Sequence, residues 1–175
     1  MTTQELVIEW SEQLLMLLEK YREQNPEFKY WLRQRNTKER LSLGQWFQGD
    51  QNYIFIGFYN VGGGANMTRS LGFVVKFIDE SKIDIYLEIT TNGESDPLTL
   101  ELYDKIAERL TGFEKKGTSY LKMLAHENIV NTFLEFLENQ KPVIDSLINE
   151  YGLNDKFIIK DSSFRESLGK VMVLR

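Results

Sequence analysis

Hydrophobic positions along the chain follow two periods, and these periods separate predicted helices from predicted strands. Near the amino terminus, apolar residues recur at steps of three and four between Val7 and Tyr21, which is the spacing of one buried helical stripe. A capping box formed by Thr2 and Glu5 precedes this stripe, and Pro26 follows it. The pattern therefore predicts an amphipathic helix that begins beside Thr2 and ends at about Tyr21.

Strand-like patterns occupy the middle of the chain. The runs Tyr53–Tyr59 and Phe73–Phe77 are rich in β-branched and aromatic residues, which suit a largely buried pleated surface. From Ile83 to Ile89 apolar residues alternate with polar ones, which predicts a strand with one apolar face. Leu43–Phe47 is predicted to form a further short strand ahead of them. Because tight turns join several of these runs, we expect an antiparallel meander over about residues 45–90.

Helical spacing returns in the second half of the chain. Asp96 followed by Pro97 is a strong helix start, and Gly112 is expected to end that helix. Apolar spacing predicts a second helix over Glu127–Glu138 and a third helix that Pro142 opens or kinks. We expect these three later helices, together with the N-terminal helix, to flank the sheet.

Short apolar runs predict the remaining strands and complete the fold class. These runs are Ser119–Leu124, Phe157–Ile159 and Val171–Leu174. Strands and helices do not alternate strictly, and the central strands are predicted to be joined as hairpins. The sequence therefore predicts an α+β fold with a central antiparallel or mixed sheet built on the meander. Since no linker or repeat interrupts the chain, residues 1–175 are expected to form a single domain.

Composition is typical of a soluble globular protein, with 42% hydrophobic and 27% charged residues. No apolar run approaches the length of a membrane span, so no membrane contact is expected. The first residues carry neither the basic region nor the cleavage site of a secretory signal. The absence of cysteine excludes disulfides and thiolate metal sites and fits a reducing compartment. We therefore expect a cytoplasmic protein.

Charge is distributed unevenly along the chain, whose formal net charge is −5. Between Lys20 and Gly44, seven cations against three carboxylates give +4, which leaves −9 for the remainder. Within this stretch, residues 28–40 (called the basic arm) read as a short helix or an irregular segment. A basic segment on an acidic body predicts a local electrostatic footprint for an anionic partner.

Aromatic residues concentrate in the same part of the chain. Nine of the 22 aromatic residues lie between positions 28 and 59, interleaved with or adjacent to the cations of the basic arm. Stacking platforms combined with cations are typical of proteins that bind single strands or flipped bases. Tyr53 and Phe55 share one strand face that we expect to be mostly buried, so residues at element ends are the better candidates. The predicted contacts are Trp31, Arg33, Arg35, Lys38, Arg40, Trp46 and Tyr59.

A long polar, glycine-rich connection (residues 60–70) separates the two central apolar runs. Hairpin loops usually need two to five residues, so a longer connection is either functional or a mobile surface loop. The backbone amides of Gly62–Gly64 could cradle a phosphate, although the surrounding residues do not form a Walker A loop. Asn66, Thr68 and Arg69 complete the predicted nucleic-acid contacts.

Catalytic and metal-binding patterns are weak in this sequence. Asp84 and Glu88 share one strand face as in some metal-dependent nucleases, but Thr90 stands where such enzymes carry lysine, which favours a solvated strand face. His126 is the only histidine, so a zinc site is not expected. No serine lies in a nucleophile elbow. We assign no catalytic residue, metal ligand or cofactor, and the sequence favours a non-enzymatic domain.

Three blocks between Trp31 and Lys76 form one pattern: Trp-Leu-Arg, then GQWFQGDQNYIFIGFYN, then ANMTRSLGFVVKF. This pattern resembles the N-terminal target-recognition modules fused to McrB-type restriction motors. The resemblance implies an α+β module that binds modified DNA and, in some members, extracts a base into an aromatic pocket. No nucleotide-binding motor is present in this chain. The resemblance implies Trp31, Trp46 and Tyr59 as pocket residues and Arg33, Arg35 and Arg69 as phosphate contacts.

The leading hypothesis is a non-catalytic domain that recognises nucleic acid, with a modified or flipped base as the expected ligand, in a prokaryotic restriction or defence system. The expected partners are DNA, methylated or otherwise modified, and a nucleotide-driven motor on the same or a separate chain. Two alternatives stay open. One is a module that binds a protein or a small ligand, and the other, less favoured, is a metal-dependent nuclease.

Overall fold

A computed structural model of the 175-residue chain describes residues 1–62 and 70–175. Within these residues, the centre of the fold is a six-stranded antiparallel sheet with the strand order β1-β2-β3-β4-β6-β5. The predicted α+β class and the predicted meander are confirmed. The strands are β1 (Gln48–Gly49), β2 (Tyr53–Gly57), β3 (Leu71–Phe77), β4 (Ile83–Thr90), β5 (Phe113–Lys116) and β6 (Ser119–Ala125).

Helices precede the sheet and follow it. They are α1 (Thr3–Gln24), α2 (Pro97–Leu110), α3 (Ile129–Glu135), α4 (Lys141–Glu150), α5 (Asn154–Phe157) and α6 (Asp161–Leu174), with a 3-10 turn at Thr37–Glu39. The predicted capping box is present at Thr2 and Glu5, and Asp96 caps α2 through the Thr99 amide. Both helix starts thus follow from local sequence. None of the described helices combines the length and apolar composition that a membrane span requires.

A π-helical turn, Phe136–Gln140, joins α3 to α4 without a break in the helical path. Pro142 follows directly, and proline within a helix removes one backbone donor and clashes with a carbonyl in the preceding turn. The wider π turn accommodates this clash. Pro142 lies in the first turn of α4 and therefore opens this helix, which is one of its two predicted roles. Phe136 and Leu137 on the π turn are buried.

The two strands predicted near the end of the chain are wrong. Phe157 ends the short helix α5, Ile158 and Ile159 lie in the connection to α6, and the run Val171–Leu174 lies in the last turn of α6. Phe164 and Val171 lie seven residues apart and are both buried, which is the spacing of one helical face. Short apolar runs fit a buried helix and a buried strand equally well, so their tertiary contacts decided the outcome.

The strand predicted at Leu43–Phe47 is displaced along the chain. Residues 41–44 form turns, and the residues that pair with β2 are Gln48 and Gly49. The sequence-based reading also missed β5, whose residues Phe113–Lys116 are largely polar and exposed at the sheet edge. Lysine on an edge strand discourages pairing with other chains. The basic arm is irregular apart from its 3-10 turn.

The hydrophobic core lies on one face of the sheet, and buried residues from each α-helix belong to it. Phe73 on β3 packs against Phe133 and Phe136 with ring centroids 4.8 and 5.5 Å apart. Neighbouring strand residues alternate between faces, so Ile54 and Val75 join this core. We call the opposite side of the sheet the outer face, and it carries Tyr53, Phe55, Val74, Lys76, Tyr86 and Glu88.

Candidate functional site

A cavity of about 560 Å³ opens on the outer face beside the basic arm. We call it the outer-face cavity, and its volume lies within the range of small-molecule sites. Strands β2, β3 and β4 supply Tyr53, Phe55, Lys76, Tyr86 and Glu88. The basic arm and the turn around β1 supply the remaining lining residues, which are Arg33, Gln34, Arg35, Thr37, Arg40, Gln48, Gly49 and Asn52.

Strand register brings the floor of this cavity together. Tyr53 pairs with Lys76 across β2 and β3, and Val74 pairs with Tyr86 across β3 and β4. The two tyrosines therefore lie diagonally across β3 on the same face. Gly72 faces Glu88 and leaves room for the Phe55 ring, because a Cβ at Gly72 would lie 2.5 Å from Phe55 Cζ. The floor is consequently aromatic and fixed by the sheet.

Two arginines of the basic arm hold the edge of the cavity. Arg33 donates from Nε to the Gln45 carbonyl at 3.1 Å and from Nη2 to the Gly49 carbonyl at 3.2 Å. Arg40 donates from Nη1 to the same Gly49 carbonyl at 3.3 Å, and its Nη2 lies 2.6 Å from Asp50 Oδ1. Two guanidinium groups thus share one acceptor.

The environment of Arg33 lowers the pKa of its guanidinium group. Burial, and secondarily the charge of Arg40, lower the pKa of Arg33 to about 10, while Asp50 acts in the opposite direction. Arg33 still carries its charge at neutral pH. Because like charges held close together are unfavourable in a partly buried setting, a bound anion would stabilise this arrangement.

Two further cations line the cavity without partners in the described part of the chain. Arg35 is exposed, and Lys76 is half-buried on β3. Neither side chain forms a hydrogen bond or ion pair with a described residue. Four cations therefore line one cavity in a protein whose net charge is −5.

The two tyrosines on the floor are half-buried. Burial, followed by the nearby charge of Glu88, raises the pKa of Tyr86 to about 12. Burial also raises the pKa of Tyr53, with smaller contributions from Asp50 and Glu88. Both hydroxyls are neutral at physiological pH, so the floor offers aromatic faces and hydroxyl groups to a ligand.

Three aromatic residues predicted to line a pocket belong to the core and do not line the outer-face cavity, although Tyr59 borders a smaller cavity beside Phe28. Trp31, Trp46 and Tyr59 are only 4–5% exposed. Their polar atoms are bonded within the protein: Trp31 Nε1 to the Tyr59 carbonyl at 2.9 Å, Trp46 Nε1 to Glu12 at 2.8 Å, and the Tyr59 hydroxyl to Asp145 at 2.6 Å. Stacking on a base requires an exposed ring face, which these residues do not present.

The predicted cations divide into two groups. Arg33, Arg35 and Arg40 lie together on the outer-face cavity. Lys38 is exposed in the 3-10 turn with a φ of 53° and does not line the cavity. Asn66, Thr68 and Arg69 lie outside the described residues.

The cavity floor is not predicted from the sequence. The strand pattern predicts Tyr53 on a mostly buried face, and no motif points to Lys76 or Tyr86. One pattern in the sequence nevertheless points to the floor. On β4, Asp84, Tyr86 and Glu88 alternate with apolar residues and therefore lie on the face opposite the core. The sequence favours a solvated strand face for Asp84 and Glu88 over a metal site, whereas in the structure Glu88 is half-buried and lines the cavity. In the structure Asp84 lies 2.8 Å from His126 Nδ1, and the described residues include no cluster of three potential metal ligands.

Glu88 should make stability depend on pH. Burial raises the pKa of its carboxyl, and a hydrogen bond with Ser119 partly opposes this effect. A carboxyl with a raised folded-state pKa contributes stability below its unfolded pKa and loses it as the pH rises through its folded pKa.

We therefore expect Glu88→Gln to gain stability relative to the unmodified protein as the pH rises from about 4 to about 7. Urea unfolding at both pH values measures this change. Glu114→Gln, on the exposed edge strand β5, is the control and should show no such trend. A constant difference between Glu88→Gln and the unmodified protein across this range would contradict the prediction.

Comparison with known protein families, curated proteins and solved structures gives no significant match to this chain. We therefore infer function from the geometry and chemistry of the outer-face cavity.

Proposed function

We propose that this protein recognises nucleic acid through the outer-face cavity, as a binding domain without catalytic activity. The observation that carries the proposal is the convergence of Arg33, Arg35, Arg40 and Lys76 around a floor of tyrosines. Cations provide the sequence-independent attraction to phosphates, and aromatic faces provide stacking for bases. Outside Lys20–Gly44 the chain carries a formal charge of −9, so the attraction to phosphates is expected to be local.

The dimensions of the cavity support insertion of one nucleotide. A volume of about 560 Å³ is large enough for a base with its sugar and phosphate. In a duplex the base edges and faces are covered by pairing and stacking, so a base must be unpaired or flipped to enter. Single-stranded DNA, or a duplex that yields its base easily, is therefore the preferred ligand.

The biological setting follows from the resemblance to McrB-type recognition modules. By that resemblance the ligand is DNA with a methylated or otherwise modified base, and the setting is a prokaryotic restriction or defence system in the cytoplasm. A nucleotide-driven motor on the same or a separate chain would then act on the bound DNA. In this proposal Tyr53 and Tyr86 replace Trp31, Trp46 and Tyr59 as the stacking residues.

Arg35→Ala should weaken nucleic-acid binding and reduce its salt dependence. Arg35 has no described partner in the protein, so its loss removes a phosphate contact without disturbing the fold. The slope of log affinity against log salt should fall by about one unit. Fluorescence anisotropy with labelled single-stranded and duplex oligonucleotides, plain and methylated, at several salt concentrations measures both quantities.

Arg109→Ala is the matched control. Arg109 is an exposed arginine in the last turn of α2, and it does not line the cavity. Its removal changes the net charge by the same amount and should leave both affinity and slope unchanged. Equal effects of Arg35→Ala and Arg109→Ala would mean that Arg35 is not a specific phosphate contact. If the unmodified protein binds no oligonucleotide at low salt, the proposed function is refuted.

One observation favours the alternative of a protein- or small-ligand-binding module. A second cavity of about 320 Å³ lies between Phe28 and helices α4 and α5. Its lining is mainly apolar and includes Ile158, which is 57% exposed. The paired side chains of Lys141 and Asp145, 2.9 Å apart, lie at its edge. A partner bound here would be indifferent to Arg35→Ala and sensitive to Ile158→Asp.

A further inference from the structure

Glu88 brings a carboxyl group to the outer-face cavity. Among the described residues that line the cavity it is the only acidic one, and it is half-buried on β4. Within the described residues it forms no ion pair with any of the four cations that line the same cavity. Its carboxyl accepts a hydrogen bond from Ser119, and because an ionised carboxylate has about four acceptor sites, part of its acceptor capacity remains available to a ligand that donates hydrogen bonds.

Aromatic side chains lie beside Glu88 on the outer face. Its cross-strand neighbour on β3 is Gly72, and the Phe55 ring lies over this glycine, because a Cβ at Gly72 would lie 2.5 Å from Phe55 Cζ. Tyr86 lies two residues earlier on the same face of β4, a separation of about 7 Å along a strand. That separation is close to the width of a base. A base that stacks on Tyr86 can therefore direct an edge toward Glu88.

Carboxylate chemistry distinguishes the four bases. An ionised carboxylate only accepts hydrogen bonds, and it can accept two parallel ones. Guanine presents two adjacent donors, N1–H and N2–H₂, on its Watson–Crick edge. Adenine and cytosine each place an amino donor beside a ring-nitrogen acceptor that repels a carboxylate. Thymine offers one N–H between two carbonyls.

We infer that Glu88 determines the specificity of the outer-face cavity and selects an unpaired or flipped guanine through two parallel hydrogen bonds. The inference rests on the proposed function. Within it, Arg33, Arg35, Arg40 and Lys76 bind phosphates of any sequence, and Glu88 reads the base. The Watson–Crick edge is occupied in a duplex, so guanine reaches Glu88 only from a single strand or after flipping.

The test uses single-stranded oligothymidines of equal length that carry one central guanine, adenine, cytosine or thymine. The unmodified protein should bind the guanine oligonucleotide about 5- to 150-fold more tightly than the others, the range that one bidentate contact provides. Glu88→Gln presents one acceptor and one donor, so it should lose this preference and still bind oligothymidine. Glu114→Gln, with the same charge change outside the cavity, should retain the preference.

Each other outcome has a distinct meaning. Equal binding of all four oligonucleotides by the unmodified protein overturns the role of Glu88 and leaves the proposed function intact. A Glu88→Gln variant that tightens binding to all four by the same factor also overturns it, because Glu88 then acts only through its charge. Failure of the unmodified protein to bind any of them refutes the proposed function itself. Circular dichroism of each variant confirms that it is folded.

Discussion

Phe133→Ala should lower the free energy of unfolding by about 3–5 kcal/mol, the usual cost of removing a large aromatic side chain from a core. Phe133 is fully buried on α3. Its ring centroid lies 4.8 Å from that of Phe73 and 6.2 Å from that of Phe58. The side chain thus connects the helical layer to the centre of the sheet. Its removal leaves a cavity that rigid neighbours on β3 and the π turn cannot fill.

Urea unfolding followed by circular dichroism measures this cost. Val130→Ala on the same helix is the control, because Val130 is 37% exposed and its truncation should cost less than about 1 kcal/mol. Similar losses for the two variants would mean that α3 does not pack on the sheet through Phe133.

Gly72→Ala should cost about 1–3 kcal/mol through overpacking, although it adds a single methyl group. A Cβ at Gly72 would lie 2.5 Å from Phe55 Cζ and 2.7 Å from the Ile56 carbonyl oxygen. The ring can move, but the carbonyl belongs to the neighbouring strand and can shift only with the β2–β3 pairing. Displacement of the Phe55 ring would also alter the floor of the outer-face cavity.

Gly169→Ala is the control for Gly72→Ala and has the opposite expected effect. Urea unfolding measures the stability of both variants. Gly169 lies within α6, and no described atom lies within 4 Å of an added Cβ. Alanine in a helix interior should stabilise the protein by about 0.5–1 kcal/mol. If Gly72→Ala were also neutral or stabilising, the close packing of Phe55 on Gly72 would not hold in solution.

Local sequence was sufficient to predict the parts of the fold that depend on local interactions. The capping residues Thr2 and Asp96 begin α1 and α2 as predicted, because a cap satisfies amides within three residues. The late apolar runs around Phe157 and Val171 gave the wrong element. Their helical state depends on burial against the core, which no local pattern records.

The site was predictable only in part for the same reason. Arg33 and Arg35 line the same cavity because they belong to one short segment, which the sequence makes visible. Trp46 was misjudged because the residue that covers its indole nitrogen, Glu12, lies 34 positions earlier on α1. Tyr53 and Tyr86 lie diagonally across β3 because of the strand register, so their placement in one cavity depends on the sheet and not on the composition of any one segment.

The alternation of side chains across β2, β3 and β4 has a consequence for how this protein can change over generations. Residues that build the core and residues that line the outer-face cavity are immediate neighbours in sequence but project to opposite sides. Substitutions on the outer face can therefore alter the ligand while Ile54, Phe73 and Val75 continue to specify the fold. A family built on this sheet would be expected to diverge in what it binds faster than in its shape.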